Sequence, residues 1–159
     1  MLDQNQLLNL FVYKDGELYW KIAPCKSVKV GQKAGYFNGK YKKIKIQEKS
    51  YFAHRLIFMM FNGYVPDFVD HIDNNPQNNA IENLREATKQ QNNSNAKLRS
   101  DAKSDAKGVN WHKKQKRWNV RVSVSNKRIN VGSFDNFELA ELVAIMAREK
   151  YHGAFARHL

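Results

Sequence analysis

The alternation of apolar and polar residues along the chain predicts short strands and a few helices. In the first part of the sequence four segments are typical of strands: residues 10–13, 17–20, 41–46 and 68–72. Asp15-Gly16 separates the first two, and this pair favours the positive φ angles of a tight hairpin turn. Residues 54–62 (HRLIFMMFN) are apolar nearly all round, which predicts a buried helix that ends at Gly63. Good helix formers in ENLREATKQQNNSNAK predict a further helix from about Glu82.

Beyond position 98 the pattern changes. LRSDAKSDAKG is small, charged and without periodicity, so residues 98–106 are predicted to be a linker between domains at 1–97 and 107–159. Three strands and a helix are then predicted, at residues 108–111, 118–124, 128–131 and 137–151. In the middle strand, Trp118, Val120 and Val122 are expected to pack on the helix. The helix is expected to meet them through residues spaced for one face: Leu139, Leu142, Val143 and Met146.

The charge of the chain indicates its class of partner. It has 159 residues with 27 Lys and Arg against 15 Asp and Glu, a formal net charge of +12. The excess is uneven, with 13 basic against 9 acidic residues up to Ala96 and 14 against 6 from Lys97 onward. Such a density favours a polyanion, because each neutralised phosphate releases condensed counterions. Nucleic acid is therefore favoured over the alternative of a merely basic, soluble surface.

Composition also argues against several classes of protein. No apolar run approaches the roughly 18 residues of a membrane span, and MLDQNQLLNLF lacks the basic leader of a secretory signal. The single cysteine, Cys25, excludes an internal disulfide and a four-cysteine zinc site within one chain. We therefore expect a folded protein of a reducing cytoplasm.

The stretch VDHIDNNPQNNAIENL (residues 69–84) carries the candidate chemistry. Asp70 can hold a hard divalent cation, which would stabilise negative charge on a phosphodiester. The imidazole of His71 can take a proton from water near neutral pH. In a regular strand these neighbours point to opposite faces, so a strand end or bend is required for both to reach one phosphate. The alternative is a polar surface loop, whose asparagines only hold turns.

Several motifs occur in a fixed order over residues 33–93: AGYFNGKYKKIKI, YFAHRL, VDHIDNN, NNAIENLREAT and QQNNSN. In this order and spacing they resemble the HNH homing endonucleases of phages, which have a ββα-metal core. The resemblance implies that Asp70 is a metal ligand, His71 the general base and Asn83 a structural residue that pins the loop. It places the second metal ligand at Asn92, with the adjacent Asn93 left open. We expect Asn78 and Asn79 to hold the loop.

The same resemblance implies one divalent cation, Mg²⁺ or Mn²⁺. Some family members bind structural zinc through cysteine pairs, which this sequence lacks, so no structural zinc is expected. Family members nick one strand or cut both, and the strand outcome stays open. His54 is expected to be structural or to support the site, whereas Arg85 could either touch a phosphate or lie solvated on the surface.

The C-terminal part resembles the DNA-binding domain of the plant APETALA/ethylene-response-factor type. The resemblance rests on Gly108-Val109, Trp118, the VGSF corner at 131–134, Ala140 and Tyr151-His152-Gly153. In that family the open face of the sheet enters the major groove. The DNA-facing candidates by position are Lys107, Asn110, His112, Arg117, Arg121, Arg128 and Asn130. Asn110 and His112 stand where the plant pattern has arginines, so its sequence preference does not transfer.

These predictions describe an α+β protein. A β-rich N-terminal segment leads into a ββα-metal core, and a three-stranded antiparallel sheet packed on one helix follows. The leading hypothesis is a metal-dependent DNA endonuclease that nicks or cuts double-stranded DNA in the host cytoplasm, with no membrane partner and a monomer favoured. The rival is a non-catalytic, sequence-specific DNA-binding regulator with a degenerate HNH core.

Overall fold

The computed structural model describes residues 2–95, 106–125 and 127–156. The chain divides into two compact units, Met1–Thr88 and Lys89–Leu159. Apart from Ala106, the predicted linker at 98–106 lies outside the described residues. None of the described helices is long and apolar enough to cross a membrane. The predicted α+β class is confirmed, since helices alternate with small antiparallel sheets.

The first unit contains small antiparallel sheets around one central helix. Its helices are α1 (Gln4–Leu10) and α2 (Ala53–Asn62). Its strands are β1 (Phe11–Lys14), β2 (Glu17–Trp20), β3 (Tyr36–Asn38), β4 (Tyr41–Ile46), β5 (Lys49–Phe52), β6 (Phe68–His71) and β7 (Leu84–Ala87). These pair as β1–β2, β3–β4–β5 and β6–β7. The buried core lies on α2 and includes Leu7, Phe11, Ile44 and Ile57.

Helix α1 was not predicted, although the sequence contains a signal for it. The side chain of Asp3 accepts a hydrogen bond from the amide of Gln6, and the Gln6 side chain accepts one from the amide of Asp3. This reciprocal capping box satisfies backbone groups that a helix start leaves without partners. Helix α2 agrees with its prediction and ends at Gly63, whose φ of 80° is left-handed.

The predicted helix from Glu82 is wrong over its first half. Ile81–Asn83 form a 3₁₀ turn and Leu84–Ala87 form strand β7, antiparallel to β6. Helix α3 is confined to Lys89–Asn95. The intrinsic helix preference of this segment is a weak effect. Cross-strand pairing overrides it, because Leu84 and Ala87 become buried and Arg85 meets Asp70.

The β1–β2 hairpin braces the loop that joins β6 to β7. Asp15 and Gly16 both have positive φ, 48° and 78°, as their sequence predicts. A Cβ added to Gly16 would lie 2.8 Å from the backbone nitrogen of Ala80. From the neighbouring strand, the hydroxyl of Tyr13 accepts the amide hydrogen of Ile81 at 3.0 Å. The hairpin tip therefore touches the loop at closest packing.

Helix α2 carries a buried histidine near its start. His54 is 7% exposed, and its ring stacks on Phe52 with centroids 5.5 Å apart. Burial, with smaller contributions from His71 and Arg55, lowers the pKa of His54 to about 3. His54 is therefore neutral in the folded protein at physiological pH.

The second unit holds α3 together with a three-stranded sheet and a long helix. The strands are β8 (Val109–His112), β9 (Arg117–Val124) and β10 (Lys127–Phe134), and the helix is α4 (Phe137–His152). The antiparallel sheet has the order β10-β9-β8. As predicted, Val120 and Val122 are buried, and Trp118 packs against Phe137 at 4.8 Å.

The predicted packing face of α4 is wrong. Leu139, Leu142 and Met146 are exposed, and the helix buries Ala140, Ala144 and Ala147 instead, with Val143 partly buried. Small side chains let the helix axis approach the sheet closely. Alanine is apolar enough for a core and common on helix surfaces, so the spacing of the larger residues pointed to the wrong face.

The contact between Gly16 and the loop gives a testable expectation. Gly16→Ala forces a left-handed alanine and a contact with Ala80, so we expect the free energy of unfolding to fall by about 2–4 kcal/mol. Gly39→Ala is the matched control, because Gly39 also has positive φ (64°) but a Cβ there meets nothing within 4 Å. Equal losses in urea unfolding of the two variants would contradict the close packing.

The buried His54 predicts a pH-dependent stability. Because its folded pKa of about 3 lies below the model-peptide value of 6.5, the unfolded chain binds more protons between these values. Its contribution is therefore fully present above pH 6.5 and falls as the pH is lowered. We expect the free energy of unfolding in urea to fall between pH 7 and pH 4.5 in both proteins. The fall should be about 2 kcal/mol smaller for His54→Asn than for the wild type. Parallel pH profiles would show that His54 is not the group responsible.

Candidate active site and nucleic-acid interface

Asp70 and His71 are the last two residues of β6, and both are buried. In the antiparallel register Asp70 lies opposite Arg85 and His71 opposite Leu84. Cross-strand partners share a face, so the ribbon directs the two side chains to opposite faces. His71 is nevertheless the last residue of the strand. A strand end is one of the two arrangements, with a bend, that would let both side chains reach one phosphate.

Asp70 is held by an ion pair across the ribbon. The Nε and a terminal nitrogen of Arg85 approach its Oδ2 at 3.0 and 2.9 Å. Both side chains are largely buried, 8% exposed for Asp70 and 16% for Arg85. Of the two readings left open for Arg85, a solvated surface position is wrong. A carboxylate has about four lone-pair sites, so this pair does not exhaust its capacity to hold a hard cation.

His71 is oriented by Asn79. Its Nε2 lies 3.0 Å from Oδ1 of Asn79, which is itself only 2% exposed. The amide nitrogen of Asn79 faces the carbonyl of Gln77 at 3.5 Å, which assigns Oδ1 to the side of His71. Nε2 therefore carries the proton and donates it to Asn79, and Nδ1 carries the basic lone pair. Sequence reasoning gave Asn79 only a role in holding the loop.

The loop between β6 and β7 is closed by Asp73 and Asn83. The amide of Asp73 donates to Oδ1 of Asn83 at 3.0 Å, and Nδ2 of Asn83 donates to Oδ1 of Asp73 at 2.9 Å. Nδ2 of Asn83 also donates to the carbonyl of Asn78 at 2.8 Å, and Nδ2 of Asn78 donates to Oδ2 of Asp73 at 2.7 Å. These contacts are those of a residue that pins the loop, the role expected of Asn83.

Asp73 is the part of this network that sequence reasoning missed. Partial burial acts to raise its pKa, but hydrogen bonds from Asn75, Asn78 and Asn83 and the charge of His71 more than offset it, so the pKa is lowered. Asp73 is therefore a carboxylate that accepts hydrogen bonds from the loop. The available signal was its place two residues before Asn75, since Asp side chains often bond the backbone amide two residues on.

Aromatic rings cover one side of His71. The ring of His54 meets it edge-on at 5.1 Å, and the ring of Tyr41 lies 6.3 Å from it. His54 is thus in contact with the candidate base, which agrees with a supporting role. Since His54 is neutral, it does not place a positive charge beside His71.

The predicted second metal ligand lies on α3, in the other compact unit. Asn92 is half-buried there and Asn93 is exposed. The choice between them therefore stays a prediction. Among the described residues no three His, Cys, Asp or Glu side chains are grouped to hold a metal ion. The predicted ligands, Asp70 and Asn92, include only one residue of these four types, so they would not form a group of three.

The open face of the second unit collects most of the predicted DNA-facing residues. A shallow cavity of about 410 Å³ on this face is lined by Asn110, His112, Arg121 and Arg128. Asn119 and Ser123 line it as well and were not predicted. Asn130 is exposed opposite Arg121 in the β9–β10 register, so it shares the same face. Hydrogen-bonding and cationic side chains therefore converge on one surface.

Partners within the unit constrain some of these side chains. Arg117 forms a two-pronged ion pair with Asp135, at 2.7 and 2.8 Å, which lowers the pKa of Asp135. Nδ1 of His112 accepts the amide hydrogen of Gln115 at 3.1 Å, so its Nε2 is the protonated, donating nitrogen. Lys107 precedes β8, and its carbonyl accepts a hydrogen bond from Arg148. Arg121 and Arg128 are exposed.

Comparisons with known proteins agree with this division of the chain. A family model described as HNH endonuclease matches residues 51–94. A second, described as AP2 domain, matches residues 104–154. Protein 3.8 of Escherichia phage T7 is 35% identical over 106 residues, which cover 65% of this chain and 87% of that protein. No solved structure matches the chain.

The first match contains Asp70, His71, Asn83 and Asn92, and the second contains the whole sheet β8–β10 and α4. The two family resemblances drawn from the sequence are confirmed, and both kinds of domain indicate DNA as the partner. The chain belongs to the phage HNH endonuclease family and carries a C-terminal DNA-binding domain of the AP2 type.

Proposed function

We propose that this protein is a metal-dependent endonuclease that hydrolyses phosphodiester bonds of DNA. The observation that carries the proposal is the fixed orientation of His71, whose Nε2–H is donated to the buried Asn79. Oδ1 of Asn79 selects the tautomer of the imidazole in which Nδ1 keeps its lone pair. A general base requires such a selection, because the tautomer decides which nitrogen takes the proton.

His71 acts as the general base in this proposal. Nδ1 takes a proton from the attacking water, and the resulting imidazolium keeps its Nε2–H bond to Oδ1 of Asn79. That bond becomes charge-assisted and therefore stronger as the reaction proceeds. The neutral His54 beside it raises no repulsion against the new charge.

Asp70 and Asn92 would hold the cation, for which carboxylate and amide oxygens suit Mg²⁺ or Mn²⁺. When bound, such a cation stabilises negative charge on the scissile phosphate and on the leaving 3′-oxygen. The role of Arg85 is to fix the rotamer of Asp70 through Oδ2. Its cationic charge beside the site also favours a phosphate.

The opposite faces of Asp70 and His71 suit an in-line displacement. Attacking water and leaving oxygen lie on opposite sides of the phosphorus in such a reaction. A phosphate at the end of the β6–β7 ribbon would have the base on one side and the metal ligand on the other. Residues 72–83 hold this end of the ribbon through the Asp73–Asn83 bonds.

The second unit supplies binding energy and position. Its open face offers Arg121 and Arg128 for phosphates or guanine edges, and Asn110 and Asn130 for other bases. We propose double-stranded DNA as the ligand of this face and the cytoplasm of the host cell as the place of action. A monomer is sufficient for both roles.

One observation favours the rival, a DNA-binding regulator with an inactive core. The Arg85 guanidinium already compensates the negative charge of Asp70, which reduces the attraction of this carboxylate for a cation. A regulator would retain this ion pair for stability alone. Plasmid that stays intact with Mg²⁺ and with Mn²⁺, alongside tight binding to one sequence, would support the rival.

The first test of the proposal is plasmid cleavage. We expect Mg²⁺-dependent nicking or linearisation, abolished by EDTA, and a rate about 10²–10⁴-fold lower for His71→Ala because the base is lost. Asp70→Asn should lose activity similarly. The exposed Asp67→Asn is the control for a lost carboxylate outside the site. Full activity of His71→Ala with wild-type folding would overturn the assignment.

The second test concerns the open face of the sheet. Arg121→Ala should weaken DNA binding by about 1–3 kcal/mol if the residue reads a guanine, or reduce the salt slope by about one if it contacts a phosphate. Arg117→Ala is the matched control and should matter less, because Asp135 already neutralises it. Fluorescence anisotropy in EDTA at several salt concentrations measures both. A larger effect at Arg117 would contradict the proposed surface.

A further inference from the structure

The outer face of the β3–β4–β5 sheet exposes large aromatic rings. Tyr36 is 49% exposed, Tyr41 40% and Phe52 38%. Lys43 lies between them, opposite Tyr36 on one side and Phe52 on the other. We name these four residues the aromatic face.

Strand alternation explains why these residues share a surface. Along β4, Ile44 and Ile46 point into the core and are buried, so Tyr41 and Lys43 point outward. The Nζ of Lys43 sits 5.3 Å from the centroid of the Phe52 ring. The sheet thus already has a complete buried face, and the aromatic face adds nothing to that core.

Exposed aromatic rings of this kind require a reason. Water contact with large apolar surface is unfavourable, and contiguous exposed patches commonly mark interaction sites. The rings are separated rather than packed flat on each other: Tyr41 and Phe52 meet edge to face at 5.6 Å and 68°. The ring of Phe52 is already in contact with Lys43 and His54, so Tyr36, at 49% exposed, offers the most accessible ring for a planar ligand.

The aromatic face leads directly to the candidate base. Phe52 stacks on His54 at 5.5 Å and 26°, and His54 contacts His71 at 5.1 Å. The ring of Tyr41 also lies near both histidines, 5.5 Å from His54 and 6.3 Å from His71. A nucleotide on this face would be a close neighbour of one held at His71.

We propose that the aromatic face binds unpaired DNA bases by stacking, so that the preferred substrate has unpaired nucleotides beside the cleaved phosphate. In a duplex the flat faces of the bases are already stacked on each other, and only their edges are accessible. Aromatic rings interspersed with a lysine suit single strands, where rings take the bases and the cation takes a phosphate. This inference rests on the proposed nuclease function and names its substrate class.

Binding of the full-length protein in EDTA tests the inference apart from cleavage. The probes are a paired duplex, the same duplex with a central bubble of unpaired thymidines, and that bubble with abasic sugars in place of the thymidines. We expect the thymidine bubble to bind tightest. Tyr36→Ala should weaken bubble binding about tenfold and leave duplex binding unchanged. Tyr36→Phe, which keeps the ring, should retain wild-type affinity.

Two outcomes would overturn the inference. One is equal affinity of the wild type for thymidine and abasic bubbles, which would show that phosphates alone are bound. The other is an equal loss for Tyr36→Ala on duplex and bubble. Val30→Ala, a change at a 65% exposed position off the aromatic face, is the control for a lost exposed side chain.

A parallel cleavage assay with Mg²⁺ separates this inference from the proposed function. Cleavage of paired and bubble DNA at equal rates, with no effect of Tyr36→Ala, would leave the nuclease standing and remove the stacking role. Tight, ring-dependent binding of the bubble without cleavage of any probe would remove the nuclease function and leave the stacking role standing.

Discussion

The reciprocal hydrogen bonds between Asp73 and Asn83 close the loop on which the orientation of the candidate residues Asp70 and His71 depends. Without that closure the loop would not present Asn79 to His71, and the tautomer of the base would no longer be selected. The same closure delivers the chain into β7 at the register that sets Arg85 opposite Asp70. Polar side chains, rather than apolar packing, therefore determine the geometry here. They can do so because Asp73, Asn78 and Asn83 bond to one another at short distances.

The two units use antiparallel sheets in different ways. The sheet of the second unit presents hydrogen-bonding and cationic groups, which suit base edges and phosphates in a groove. The β3–β4–β5 sheet of the first unit presents rings with a lysine among them. In the function that we propose, the first surface locates paired DNA and the second holds unpaired bases beside the cleaved phosphate.

Much of this arrangement could be predicted from the sequence, because strand alternation and turn residues act locally. The Asp15-Gly16 hairpin, helix α2 and the strands of the second unit follow from such signals. The predictions from sequence are wrong where contacts between residues far apart in the sequence determine the structure. Strand β7 contains helix formers and is a strand only because β6 lies beside it. The face of α4 was misjudged because alanines, not leucines, meet the sheet.

The candidate site shows the same limit. Asp70, His71 and Asn83 could be named from motif order, and their partners Arg85, Asn79 and Asp73 could not be ranked among many polar neighbours. In a segment with so many asparagines, composition does not tell which one faces an imidazole. Burial distinguishes them, and burial is a property of the folded chain: Asn79 is 2% exposed.

The bond between Tyr13 and Ile81 joins residues 68 positions apart. Contacts of such sequence separation form late in folding, because a long loop must close before they contribute any energy. The hairpin at the start of the chain and the loop near position 80 therefore become fully ordered only when they come into contact. Phe11, Leu18 and Trp20 of the hairpin also belong to the buried core that includes Ile57 of α2, so opening the hairpin would disturb this core as well as the loop. The orientation of the candidate site is thus expected to be lost in the same transition as the fold that carries it.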